Sequence, residues 1–194
     1  MNPSPSTSKV VPLFALEGRD DDALMALSRT RREAFDVLVG RHQQALLRIA
    51  AKYLGDVATA RDACQATFLE VYRARHAYRP LGRFPFFLRR VLLNQCHLVA
   101  RRGGADARLA ALDVAPDAPP PPDALILAEE RRQLVEAEVS KLSEKLRAVI
   151  VLRYAGGHTL EDIAEVLDVP VGTVKSRLFA AMQALASALP GEAP

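Results

Sequence analysis

The run Gly172-Thr173-Val174-Lys175-Ser176-Arg177-Leu178 opens an amphipathic helix directly after a shorter helical pattern and a tight turn. Thr159 to Leu167 reads as the shorter helix, Asp168-Val169-Pro170 breaks it, and Val171, Val174, Leu178, Ala181, Met182, Leu185 and Leu189 recur at three- and four-residue steps. One face of the second helix is therefore apolar, and Lys175, Ser176 and Arg177 are left toward solvent at its N-terminal end. The chemistry that this predicts is recognition rather than bond making: a helix-turn-helix places that end in the DNA major groove. Ala164 is the small residue where the two helices approach, and Val174 is the apolar anchor. Pro170 sits where a first-turn proline sacrifices no hydrogen bond. Asp168 occupies a turn position where left-handed backbone is expected, which Asp tolerates. An ordinary helical hairpin is the competing reading of this segment.

A second line of polar residues lies upstream. Arg90, Asn94, His97 and Arg101 are spaced by four, three and four residues, which aligns them along one side of a helix. Asn reads base edges in bidentate fashion, and Arg holds phosphates or guanine. A solvated face ending in arginines that complement the helix dipole explains the same pattern equally well. Asp62, Gln65 and Leu69 share a face of the preceding helix by the same spacing. A leucine among polar neighbours there reads either as a protein-binding surface or as a scattered exposed apolar residue.

The elements that position these residues are all helical. Asp20, Asp21 and Asp22 place acid at a helix start ahead of Leu24, Met25 and Leu27. Phe35, Leu38, Val39, His42, Leu46, Ile49, Ala50 and Tyr53 keep helical period through a second helix that ends at Gly55. A third runs from Val57 to about Ala77, with Ala60, Ala63, Cys64, Thr67, Phe68, Val71 and Tyr72 as its core stripe. Tyr78 to Phe84 reads as a loop, and Pro85 starts a fourth helix with Phe87, Leu88, Val91, Leu92, Leu98 and Val99 inside. The stretch containing Ala118-Pro119-Pro120-Pro121-Pro122-Asp123 reads as an extended tether. Beyond it come a helix from about Asp123 to Leu142 and another from Ser143-Glu144 to Gly156-Gly157. Leu134, Val139, Leu142, Leu146, Val149, Ile150, Leu152 and Ile163 are the candidate core of that half. The expected fold class is all-α: two small helical domains joined by a flexible, acidic, Pro-rich linker. The expected boundaries are 1–19 for a mobile N-terminal segment, 20–102 for the first domain, 103–123 for the linker and 124–190 for the second domain.

Charge is unevenly divided along the 194 residues. Residues 1–102 hold 17 Lys+Arg against 9 Asp+Glu, residues 103–130 hold 1 against 6, and residues 131–194 hold 8 against 8, which totals the +3 of the whole chain. A basic first half suggests a polyanionic partner, although a solvated surface accounts for part of such an imbalance. Two cysteines, Cys64 and Cys96, make no disulfide framework or ligand cluster, so a reduced, cytoplasmic protein is expected. Cys64 reads as a small buried hydrophobe. No apolar run approaches the roughly 18 residues of a membrane span, and Met1 to Ser8 lacks the pattern of a signal peptide. His42, His76, His97 and His158 are scattered singly, so neither a metal nor a cofactor is expected and catalysis is not.

These residues resemble the extracytoplasmic-function (ECF) sigma factors of bacterial RNA polymerase, from about Asp20 to Leu189. The resemblance rests on Ala34-Phe35 with Leu38 and Arg41-His42, and on Asp62-Ala63-Cys64-Gln65-Ala66-Thr67-Phe68-Leu69. It continues through Phe87-Leu88, Asn94 and Arg101-Arg102, and from Leu142 through Arg147 to Gly172–Leu178. It implies that the first domain is sigma region 2 and the second sigma region 4. Asp62, Gln65 and Leu69 would then contact the clamp helices of the polymerase beta-prime subunit. Arg90, Asn94, His97 and Arg101 would face the minus-10 promoter element, with the Tyr78–Phe84 loop beside them. Lys175, Ser176, Arg177 and Phe179 would meet the minus-35 element while region 4 binds the beta flap. An anti-sigma factor is the further partner implied.

Three positions depart from the family pattern. Arg61 stands where an acid is usual, Phe86 or Phe87 where tryptophan is frequent, and Ala180 where a basic residue is common. By the resemblance, the last change would forgo a phosphate contact and weaken minus-35 binding by a fraction of a typical charged contact, on the order of 1 kcal/mol. Two other classes compete with this reading. A polymerase-independent helix-turn-helix regulator would leave the first domain unexplained and lacks a visible dimerisation helix. A helical metal-dependent hydrolase would need clustered ligands.

Overall fold

The computed structural model describes residues 14–102 and 122–189, and among these residues it is entirely helical. Five helices make the front half: α1 (Phe14–Glu17), α2 (Asp21–Leu27), α3 (Arg32–Leu54), α4 (Val57–Ala74) and α5 (Phe84–Arg102). Four make the back half: α6 (Pro122–Lys141), α7 (Glu144–Tyr154), α8 (Leu160–Leu167) and α9 (Val171–Ala188). The expected linker lies outside the described residues apart from its last two, which begin α6. Phe14–Glu17 is helical and Leu16 is buried.

Short-range chemistry sets the helix ends. The Asp20 carboxylate accepts from the Ala23 amide at 2.7 Å, with Asp21 and Asp22 in the first turn of α2. Gly55 ends α3 at φ 76°, a left-handed conformation open to glycine. Asp56 then caps α4 through the Thr59 amide at 2.7 Å and the Thr59 hydroxyl, and these bonds hold its carboxyl below the usual range. The third helix therefore starts where the sequence places it. It ends at Ala74, three residues earlier than expected, because residues 75–77 close as turns.

In the front half, α3, α4 and α5 pack on one another around Leu38, Leu46, Ile49, Tyr53, Leu88 and Leu92, all fully buried. Phe35 meets Tyr72 edge-on at 4.9 Å between ring centroids. The expected stripe of α4 is inside, with Phe68 and Tyr72 half-buried. On α5 two expectations change: Leu98 is exposed, whereas Leu93 and Cys96 are buried. The buried stripe advances from Phe84 through Leu88 and Leu92 to Cys96 in steps of four, and Leu98 falls off that line. Burial pushes the Cys64 thiol up to about 11 and the Cys96 thiol to about 12, so both are inert hydrophobes.

The back half packs α7, α8 and α9 around Val149, Leu152, Ile163, Val174 and Ala181. Val139 and Leu142 join that core as expected, but Leu134 is exposed. The two halves also touch each other, α5 against α8 and α3 against α6 and α7.

Candidate nucleic-acid interface

The helix-turn-helix is built by reciprocal capping. The Asp162 amide donates to Thr159 Oγ1 at 3.1 Å, and the Thr159 amide donates to Asp162 Oδ2 at 3.0 Å. Those bonds hold the Asp162 carboxyl below its usual range. Asp168 ends α8 at φ 56° and ψ 52°, the left-handed turn expected of it. The Val169 amide closes that turn on the Ala164 carbonyl at 3.0 Å. Ala164, Val174 and Ala181 are buried between the helices. Lys175 and Ser176 are exposed and Arg177 is partly exposed, all within the first two turns of α9. The Ser176 hydroxyl turns back to the Thr173 carbonyl at 3.0 Å. Phe179 follows with two-thirds of its surface exposed, an aromatic face without a core role. Met182, expected on the apolar face, is also exposed.

The polar line on α5 makes contacts with the back half of the chain while keeping most of its residues exposed. Asn94 is exposed. Arg90, by contrast, donates from Nε to the Val166 carbonyl at 3.0 Å and from Nη2 to the Glu165 carbonyl at 2.7 Å, both in the last turn of α8. Arg101 pairs with Glu144 of α7 at 3.3 and 3.4 Å, and this hydrogen bonding holds the Glu144 carboxyl below its usual range. His97 is partly buried against Tyr53, with ring centroids 5.5 Å apart. Its Nε2 is buried with no hydrogen-bond partner among the described residues. Burial lowers its pKa, opposed by Glu144 and reinforced by Arg101 and Arg147. The four residues thus stay on one side of one helix, but three of them face the back half of the chain.

The loop beside that line is organised by a residue that the sequence presented only as a helix-start acid. Asp22 accepts from the Tyr78 hydroxyl at 2.7 Å and the Leu81 amide at 3.0 Å. Arg29 adds donors to the Arg75 and Tyr78 carbonyls. Asp21 takes the other direction, accepting from Arg41 and contacting His42 Nε2 at 2.8 Å. Burial alone would raise the Asp21 pKa, but these partners bring it below the usual carboxylate value. Arg41-His42 is therefore a structural pair that anchors α2 on α3.

On α4, Asp62 and Gln65 are exposed and Leu69 is half-exposed. Gln65 and Leu69 edge a groove of about 810 Å³ between α3 and α4, with Phe35, Val39, Leu47 and Arg61 in its lining. A second groove, of about 620 Å³, lies between α6, α7 and α9 and is lined by Val135, Val139, Ile150, Tyr154, Met182 and Leu185. Sequence reasoning missed this one: it places Met182 on the apolar face of its helix and gives Tyr154 no role. Among the described residues there is no group of three or more His, Cys, Asp or Glu that could hold a metal. No described helix is long and apolar enough to cross a membrane.

Comparison with known proteins agrees with this architecture. Residues 38–104 match the family sigma-70 region 2, and residues 132–185 match sigma-70, region 4. The chain is 33% identical over 181 residues to the RNA polymerase sigma-H factor of Pseudomonas aeruginosa, covering 88% of this chain and 94% of that protein. It is 34% identical over 166 residues to the ECF RNA polymerase sigma-E factor of Escherichia coli K12, covering 79% and 85% respectively. The structure of CnrH in complex with the cytosolic domain of CnrY superposes with a TM-score of 0.67 and 26% identity, over 90% of this chain and 100% of that one. The sigma factor RpoE of Bartonella quintana, solved with the anti-sigma factor NepR, shares the fold at a TM-score of 0.61 and 21% identity, over 80% and 98%.

A chain that is helical throughout its described residues and carries region 2 before a region 4 helix-turn-helix is a sigma factor of RNA polymerase, a DNA-binding initiation protein rather than an enzyme. Within that class the chain belongs to the ECF sigma factors, and it directs promoter-specific transcription initiation.

Proposed function

We propose that the chain reads its promoter at two separate places. Lys175, Ser176, Arg177 and Phe179 of α9 meet the minus-35 element, and Arg90, Asn94, His97 and Arg101 of α5 meet the minus-10 element. The observation that carries this reading is the division of α9. Val174 and Ala181 are fully buried, which turns Lys175, Ser176 and Phe179 outward together. Cations there neutralise phosphates while polar and apolar groups reach base edges. The expected extents follow the same logic: 20–102 for the minus-10 domain, 124–190 for the minus-35 domain, and 103–123 for the tether between them.

Asp62, Gln65 and Leu69 dock on the beta-prime clamp helices of core polymerase. The groove edged by Gln65 and Leu69 supports this, because an exposed leucine beside an apolar groove fits a helical partner. The α6–α7–α9 groove supports a second helical partner, the beta flap. An anti-sigma factor competes for these surfaces, as the anti-sigma factor NepR is complexed with the sigma factor RpoE, and CnrY with CnrH, in the related structures. The protein works in the cytoplasm and requires no cofactor.

Run-off transcription from a promoter library with core polymerase tests the reading. The chain is expected to create start sites that core alone lacks. Arg177→Ala should relax dependence on upstream sequence, and Asn94→Ala dependence on start-proximal sequence. Start sites that ignore both substitutions overturn these residue roles. Footprints at upstream elements in the absence of polymerase favour the alternative, a polymerase-independent regulator.

A further inference from the structure

We infer that Asp22 is a positioning residue for the minus-10 contact: from α2 it pins the Tyr78–Phe84 loop and so sets how sharply the chain discriminates between minus-10 sequences. This inference rests on the reading of α5 given above, because the pinned loop leads directly into that helix.

The two neighbouring acids in the first turn of α2 face different partners. Asp21 is held by Arg41 and, at 2.8 Å, by His42, both on α3. Asp22 reaches the loop instead, where Oδ1 accepts from the Tyr78 hydroxyl at 2.7 Å and from the Leu81 amide at 3.0 Å. Its second oxygen lies 3.5 Å from the Phe84 amide at the start of α5. One short helix therefore ties the middle of the loop to the frame of α3. Burial and the Asp22 carboxylate push the Tyr78 hydroxyl well above its usual range, so it stays a donor.

The anchored side of the loop is packed. The Tyr78 ring meets Phe84 edge-on at 5.8 Å and Phe87 at 5.3 Å, and Phe84 is fully buried with His42 5.8 Å away. The other side is presented. Leu81 is 72% exposed although its own amide is held, so the backbone is fixed while the side chain has no place in the core. Gly82 follows at φ 71°, a left-handed turn that glycine adopts freely. Arg79 and Arg83 stand exposed on either side. Cations flanking an apolar side chain suit an opened strand: arginines meet phosphates, and a leucine covers the face of an unstacked base.

Anchoring acts on discrimination more than on affinity. A loop without the Asp22 bonds adopts many conformations and adapts to many strand sequences, losing entropy each time it binds. A loop pinned at Tyr78 and Leu81 fits the sequences that suit one placement of Leu81 and rejects others. Phosphate contacts, which carry no sequence information, do not depend on that placement.

The test compares reconstituted holoenzymes carrying the full chain, unaltered or with Asp22→Ala, Asp22→Asn, Tyr78→Phe or Leu81→Ala. Each is assayed at saturating concentration and below its own thermal midpoint, on promoters randomised separately at minus-10 and minus-35. Asp22→Ala should cut the preference for the best minus-10 sequence about tenfold and leave the minus-35 preference intact. Asp22→Asn keeps an Oδ1 acceptor for both donors and should restore the preference. Leu81→Ala should lose preference at the same promoter position, and adding Asp22→Ala to it should cost nothing more, because Asp22 acts through Leu81. Tyr78→Phe, which removes one of the two bonds, should show a partial loss at that position and serves where Asp22→Ala does not fold.

A uniform fall in transcription over all minus-10 sequences would make Asp22 merely structural and overturn the inference. Additive losses in the double variant overturn it as well. Asn94→Ala, run in parallel, separates the two failures. If it relaxes minus-10 preference while the Asp22, Tyr78 and Leu81 variants do not, the positioning role falls and the reading of α5 stands; if none of them does, both fall.

Discussion

Arg90 meets Glu165 through the backbone: Arg90 Nη2 lies 2.7 Å from the Glu165 carbonyl oxygen, while the Glu165 side chain pairs with Arg83. One residue of α8 thereby engages two arginines flanking the start of α5, and opening the chain must break both contacts. Arg90→Ala is expected to weaken closure by about 1 kcal/mol, the value of a charged hydrogen-bond pair discounted for its partial exposure. Amide hydrogen exchange in the last turn of α8 should quicken in this variant. Transcription should weaken as well, since the same side chain is a candidate DNA contact. Faster exchange with unchanged promoter dependence would assign Arg90 to closure alone.

Acid should open the contact between the halves. His97 is faced by Tyr53 of α3, Arg101 of its own helix, and Glu144 and Arg147 of α7. His158 is faced by Arg89 of α5 and Asp162 of α8, and Arg153 of α7 donates to its carbonyl. Burial lowers both histidine pKa values, and arginines reinforce the effect. The closed form therefore prefers both rings neutral. That preference stabilises closure fully above the ordinary histidine value of 6.5 and is lost as pH falls below it toward the depressed values. The radius of gyration should rise on acidification through this window. His97→Gln with His158→Gln should flatten the transition. A transition confined to lower pH would instead point to Glu144 and Asp162, whose carboxyls are held below their usual values.

The loop beside α5 should depend on Asp22. Its Oδ1 accepts from both the Tyr78 hydroxyl and the Leu81 amide, so one oxygen fixes the loop at two points. Asp22→Ala leaves both donors without that acceptor and should cost about 1–3 kcal/mol. Tyr78→Phe removes one donor and should cost about 1 kcal/mol. Denaturant unfolding of the two variants gives both figures, and limited proteolysis should cleave between Tyr78 and Phe84 sooner in Asp22→Ala. Equal stability of Asp22→Ala and the unaltered chain would reject the anchoring role.

The turn after α7 should resist any side chain at Gly156. A Cβ there would stand 2.7 Å from both the Leu152 carbonyl oxygen and the His158 ring. The backbone oxygen cannot rotate away, because it also accepts from the His158 amide at 3.2 Å. Gly156→Ala should therefore displace His158 and cost about 1–3 kcal/mol, the range for overpacking a tight site. The thermal midpoint gives the cost, and the acid-opening transition should lose its His158 component.

Local signals were legible in the sequence because they are carried by neighbours along the chain. Gly55 and Asp168 mark helix ends by backbone conformation alone. Helical spacing found the α4 stripe and aligned Arg90, Asn94, His97 and Arg101. Periodicity failed where a residue sits at the edge of a stripe, as with Leu98, Leu134 and Met182, because spacing fixes direction but not what packs there. The contacts of Arg90 with Glu165 and of Arg101 with Glu144 join residues 75 and 43 positions apart. Nothing local encodes them except charge sign, and the basic front half hinted at DNA while also serving the chain's own acids.

The reading helix makes its own prediction through salt. Lys175 and Ser176 are exposed near the N-terminal end of α9, and Arg177 is partly exposed beside them. A cation that neutralises a phosphate releases a counterion, so its removal lowers the salt dependence of binding by about one. A cation that reads a base instead relaxes sequence preference, at about 1–3 kcal/mol for the base concerned. Lys175→Ala is expected to show the first behaviour and Arg177→Ala the second, because Arg has the fork that matches guanine and Lys does not. Phe179→Ala, which removes an exposed apolar face, should change sequence preference with no change in salt slope. Initiation by the reconstituted holoenzyme over a salt series, on promoters differing only upstream, separates the three outcomes. Identical salt slopes and identical upstream preferences for all three variants would remove α9 from the minus-35 contact.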